Sequence, residues 1–149
     1  MRNARLELTP LLLDSLYTEA VLLVDGARAC FDRSFDAGHL SPEISVAFSC
    51  ESLKVSTRLM HSIAWLLNQK ALRAGEITGD EAQNDAKNLG YAPASDGPLV
   101  LQFPLEAQAL IGASEELYCR LKRFSEKMHA PVPQVSEPHA MRDRLRASF

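Results

Sequence analysis

The sequence predicts an all-α fold, an antiparallel three-helix bundle, on three observations. Apolar residues recur at three- and four-residue spacing over most of the chain, the period of a helix with one buried face. Strand signals are nearly absent: only Pro98-Leu-Val-Leu-Gln-Phe103 has the apolar density of a strand. A lone strand has nothing to pair with, so this stretch reads as an extended packed loop. Proline directly follows a capping hydroxyl at Thr9-Pro10 and Ser41-Pro42, the combination that opens helices.

The first helix begins at Thr9-Pro10 and runs to about Phe35, with Leu13, Leu16, Ala20, Leu23, Ala27, Cys30 and Phe31 on its apolar face and Gly38 ending it. The second opens at Ser41-Pro42 and meets no glycine or proline until Gly75. At ~1.5 Å per residue it is about 50 Å long. Thr78-Gly-Asp-Glu81 has the form of a capping box, and a short acidic helix follows to about Leu89. Residues 90–103 are loop, punctuated by Pro93 and Ser95-Asp-Gly-Pro98. The third long helix runs from near Pro104 to about His129 on a stripe of Leu110, Leu117, Leu121, Phe124 and Met128, and Gly112 within it invites close approach of a neighbouring helix. These elements make one domain over residues 1–130. Pro131, Pro133 and Pro138 then begin a flexible C-terminal tail over 131–149. There Met141, Leu145 and Phe149 share one face of a two-turn helix, with Arg142, Arg144 and Arg146 elsewhere. So short a helix is unstable alone in water, so the tail is expected to order on a partner.

On a helical wheel, the second helix gathers Phe48, Leu53, Ser56, Leu59, Met60, Ile63, Leu66 and Leu67 into one arc, its expected core face. Trp65 lies nearly opposite Ile63, beside Leu72 and flanked by Arg58, His61 and Gln69. Two readings of Trp65 stand. The 90–103 loop or the N-terminal arm covers it, or it anchors an interface, where Trp and Arg are enriched.

Composition excludes several function classes. Of 149 residues 46% are hydrophobic and 23% charged, enough for one domain to bury its own core, and the net charge of −3 leaves no basic footprint for nucleic acid. The longest apolar run, Ala20-Val-Leu-Leu-Val24, is far short of a membrane span. The opening Met-Arg-Asn-Ala-Arg-Leu-Glu-Leu lacks the apolar core of a secretory signal, so a cytoplasmic protein is expected. Cys30, Cys50 and Cys119 are odd in number and widely spaced, which offers reduced thiols rather than a disulfide framework or a metal site. No cofactor motif is present. Asp32, Asp36 and His39 have a spacing metals can use, but a solvated helix exit explains them better. His61 lacks the small and basic neighbours of a phosphotransfer histidine. Arg33-x5-His39 fits the loose RxxxxxH pattern of HEPN-type ribonucleases, which makes a small helical nuclease the alternative from the enzyme class, beside a purely structural dimerisation module.

Glu51-Ser52, Ser56-Thr-Arg-Leu-Met60, Ala64-Trp-Leu-Leu67, Gln69-Lys-Ala71 and Gly75-Glu76 resemble the central-helix signature of the RcdA family, alphaproteobacterial proteins named as regulators of CtrA degradation. Ser114-Glu-Glu-Leu-Tyr-Cys-Arg-Leu121 resembles that family's third-helix segment. The resemblance covers most of residues 10–129. It implies a three-helix bundle without enzymatic activity, an adaptor serving the ClpXP protease in the timed degradation of cell-cycle regulators. It implies a homodimer, a position at the cell pole, and a C-terminal tail concerned with cargo. The expected partners are a protease complex and response-regulator proteins, with no nucleic acid and no membrane insertion. The protein-binding candidates are Arg58, His61, Trp65, Gln69 and Leu72 on the second helix, and Met141, Arg142, Arg144, Leu145, Arg146 and Phe149 in the tail. The acidic stretch 76–97 and the arginines of the tail carry opposite signs, which can steer partners or fold the tail back.

Overall fold

A computed structural model describes residues 7–36 and 40–129. Among these there are five helices and no strand: α1 (Pro10–Asp36), α2 (Pro42–Arg73), α3 (Asp80–Ala86), α4 (Gly97–Val100) and α5 (Leu105–His129).

Local chemistry sets most boundaries. The Thr9 hydroxyl accepts from the Leu12 amide at 3.1 Å, and the Ser41 hydroxyl from the Ile44 amide at 3.4 Å. At the end of α2, Gly75 adopts φ 70°. Its amide donates to Leu72 and the Glu76 amide donates to Ala71, the paired bonds with which a left-handed glycine closes a helix. Two expectations fail here. The Thr78–Glu81 capping box does not form, because Gly79, at φ 91°, takes the cap position with no side-chain bond, and α3 stops at Ala86. Residues 98–103 are not an extended loop. Asp96 accepts from the Leu99 amide and Pro98 follows within the first turn, so the cap-plus-proline device works a third time and winds α4.

α1, α2 and α5 pack mutually, while α3 and α4 lie on α2. Their directions follow from the cross-contacts. Asp14 meets Lys70 and Phe31 meets Phe48, so α1 is antiparallel to α2. Glu19 meets Arg120 and Arg33 meets Glu106, so α1 is antiparallel to α5 as well. α2 and α5 are therefore parallel to each other. The chain leaves α2 at one end of the bundle and must travel back along its length before α5 can start. Residues 74–104 are that return crossover, and α3 and α4 are its two helical turns.

The core is a continuous apolar cluster of Leu13, Leu16, Ala20, Ala27, Cys30 and Phe31 from α1, Phe48, Val55, Leu59, Trp65 and Leu66 from α2, and Ala107, Ile111, Leu117 and Leu121 from α5. At the end where α5 begins, Phe48 stands edge-on between Phe31 and Phe103, with ring centroids 4.9 and 5.1 Å away. The expected core face of α2 is only partly right. Phe48, Leu59 and Leu66 are buried, but Leu53, Met60 and Leu67 are exposed, as is Ser56. The crossover lies on a different arc, which carries Glu51, Arg58, Ser62 and Gln69, all buried. A wheel that weighs only hydrophobicity turns away from such an arc. Gly112 is exposed, with nothing within 4 Å of an added Cβ. The close approach is at Gly26 instead, where a Cβ would stand 3.2 Å from Leu110.

Candidate functional site: the crossover clamp

Glu51, Arg58 and Trp65 are spaced by seven residues, and Gln69 stands one further turn along. Each points at the returning chain. Gln69 donates to the Ala86 carbonyl at 2.9 Å. The Trp65 indole N–H donates to the Lys87 carbonyl at 2.9 Å, and Ser125 of α5 donates to the same oxygen at 2.8 Å. Tyr118 of α5 donates to the Gly90 carbonyl at 2.8 Å and accepts from the Ala92 amide at 3.1 Å. Arg58 donates to the Pro93 carbonyl at 3.0 Å, to the Ser95 hydroxyl at 3.1 Å and to the Ser114 hydroxyl of α5 at 2.9 Å. Glu51 accepts from the Asp96 amide at 3.2 Å and from Lys54 at 2.9 Å. Numbers fall along the crossover as they rise along α2, so each polar residue meets the backbone group directly beside it.

A guanidinium 1% exposed is stable only when its donors are matched. Arg58 meets that demand with one carbonyl and two hydroxyls, and the Glu115 carboxylate lies 3.9 Å away. For Glu51, burial opposes ionisation. Hydrogen bonding by Ser95, Lys54 and the Asp96 amide, with the charge of Lys54, outweighs it and holds the carboxyl below its ordinary value. These groups are consumed in fastening two chain segments together, and the arrangement is suited to holding rather than to proton transfer. Among the described residues no group of three or more His, Cys, Asp or Glu side chains is placed to hold a metal. No helix among them is long and apolar enough to cross a membrane.

The candidate residues separate accordingly. Arg58, Trp65 and Gln69 come together, but inside the protein. Trp65 is 0% exposed and its indole N–H is taken by the Lys87 carbonyl, so in this chain alone it does not reach the surface that an interface anchor needs. Its indole partner, the Lys87 carbonyl, lies ahead of the 90–103 loop that the sequence offered as cover. His61 is half-buried with its ring against Gly90, and a Cβ at Gly90 would stand 2.7 Å from His61 Nδ1. Leu72 is half-buried at the end of α2. Met141, Arg142, Arg144, Leu145, Arg146 and Phe149 lie outside the described residues, as does His39. Arg33 is exposed and engaged by Glu106 at 2.6 Å. The clamp members that were not among the protein-binding candidates are Glu51, Ser95, Ser114, Tyr118 and Ser125. Glu51 had a legible signal, a carboxylate one heptad before Arg58 and two before Trp65. The hydroxyls had none, because their roles depend on where the crossover runs.

A family model described as "Protein of unknown function (DUF1465)" matches residues 5–149. Among solved structures the chain is similar to RcdA from Caulobacter crescentus CB15, at 28% identity and a TM-score of 0.63, over 87% of this chain and 97% of that one. No curated protein matches at a significant level.

Proposed function

The chain belongs to the DUF1465 family, and from that premise we propose that it is a non-enzymatic adaptor for regulated proteolysis. In this reading it works as a homodimer in the cytoplasm, recruited to the cell pole, and presents response-regulator-type cell-cycle proteins to the ClpXP protease. The observation that carries the reading is the likeness to RcdA across nearly the whole of that protein at 28% identity. The clamp is consistent with it. Four of the residues that carry the sequence resemblance, Glu51, Arg58, Trp65 and Gln69, fasten the crossover. That part of the signature supports architecture, and in this reading the partner surfaces are the outer faces and the tail. A tethered segment raises the local concentration of whatever it holds without needing a tight contact, which suits residues 131–149 to cargo delivery.

The test is a reconstituted degradation assay with ClpXP and a response-regulator cargo. The full chain is expected to accelerate loss of the cargo. Removing residues 131–149 is expected to weaken delivery while helix content stays unchanged. No acceleration by the full chain rejects the adaptor reading, and undiminished delivery by the truncated chain removes the tail from it.

A further inference from the structure

α5 carries Arg120, Arg123 and Lys127 along the groove that it forms with α1, and the rest of the lining is Leu12 and Leu16 of α1 and Phe124 of α5. The groove holds about 430 Å³, within the range of binding clefts. Its floor is apolar, and its cations all stand on the α5 side. We propose that this groove is a docking site for an acidic amphipathic helix of another protein. The helix lies between α1 and α5, with its apolar row on the floor and its carboxylates along the α5 rim.

Charge selects the occupant. Arg123 and Lys127 are exposed, and among the described residues no carboxylate pairs with either. Arg120 is held by Glu19 through one terminal nitrogen, while its Nε–H is buried without an acceptor. Cations that pair with nothing in the fold, set beside apolar surface, are completed by a partner of opposite sign. Their spacing is helical. Positions 120, 123 and 127 step by three and four and span ~10 Å, so carboxylates at the same steps on a helix in the groove meet them in turn. Because α1 adds no cation to the rim, the occupant's acidic residues fall on one flank of its apolar row.

Other occupants fit less well on the same grounds. The chain's own residues 141–149 carry Arg142, Arg144 and Arg146, the sign of the rim itself. α3 is acidic, but its apolar residues are alanines, and Ala86 is already buried. A flat anionic bilayer meets the rim but not the floor, where Leu16 is 3% exposed and Leu12 and Phe124 are half-buried. A convex helix with large apolar side chains meets both.

The groove goes beyond the adaptor reading and does not rest on it. The probe is a fluorescein-labelled peptide of about 18 residues, ~27 Å long as a helix. It carries leucines at three-four spacing and glutamates along one flank, on an alanine background. Fluorescence anisotropy with the full chain is expected to give a Kd of about 10 μM, weakened at least about threefold between ~50 and ~300 mM salt. Arg123→Glu/Lys127→Glu is expected to weaken binding at least about tenfold at unchanged helix content. The same variant is expected to bind a peptide in which lysines replace the glutamates, a reciprocal exchange that a folding defect does not produce. A peptide of equal composition with its leucines scattered is expected not to bind. No binding by the parent chain, binding that survives the charge reversal, or equal binding of the scattered peptide each overturn the groove. So does binding to vesicles of about one-third phosphatidylglycerol without binding to the peptide, which makes the surface a lipid site. A chain that binds the peptide yet delivers no cargo rejects the adaptor reading and upholds the groove.

Discussion

Trp65 contributes in two separable ways, as buried volume and as a donor to the crossover. Its indole is fully buried in the core cluster and its N–H donates to the Lys87 carbonyl. Replacement by alanine removes both contributions, and urea unfolding of Trp65→Ala is expected to show a loss of about 3–5 kcal/mol. Trp65→Phe keeps most of the volume, and the Lys87 carbonyl still accepts from Ser125. Its loss is expected near 1 kcal/mol in the same measurement. A Trp65→Phe cost as large as that of alanine would mean that the hydrogen bond, not the packing, dominates. Periodicity marked Trp65 as lying off the apolar arc but left its cover open. What decides the matter is a carbonyl 22 residues away, a partner that no local pattern encodes.

At the scale of an element, the crossover is the unusual part of this protein. Connections of this length within a compact domain are uncommon, and this one is held by side chains of α2 and α5 rather than by a sheet or a helix pair of its own. Its fit is tightest at Gly90, where the backbone passes against the His61 ring. Gly90→Ala is expected to destabilise the protein by about 1–3 kcal/mol through that overlap. Adding His61→Ala is expected to recover most of the loss, giving a non-additive cycle in thermal or urea unfolding. Additive losses would place the strain elsewhere. The long helices were legible because caps, prolines and three-four spacing are local signals. The register of α2 was not, because part of its buried surface is polar. Arg58, Gln69 and Glu51 look like surface residues until the chain that covers them is in place, and Leu53 and Met60 look like core for the same reason.

For the molecule as a whole, the all-helical bundle was readable but the direction of its third long helix was not. α1 and α2 are joined by a short connection and must run antiparallel. The link from α2 to α5 is long enough to permit either direction, and only the clamp determines that it returns. Global stability should therefore carry the electrostatic signature of the clamp. The Glu51 carboxyl is held below its ordinary value of about 4.5 in the folded protein. Its contribution is fully present above that ordinary value and is lost as pH falls through the lower folded value. Stability measured from about pH 6 to pH 3 should fall less steeply for Glu51→Gln than for the parent, whereas Glu76→Gln, at an exposed position, should leave the slope unchanged. An identical slope in Glu51→Gln would remove this carboxylate from the acid response.

The helix directions also settle where the described residues begin and end. Leu12 and Leu16 of α1 border the same groove as Phe124 and Lys127 of α5, so the described chain begins and finishes at one pole of the rod. The phenylalanine trio lies toward the opposite end, roughly 30 Å off along α1. Labels placed on the first turn of α1 and the last turn of α5 would sit side by side, and a bead tied to either turn would leave the aromatic end unobstructed.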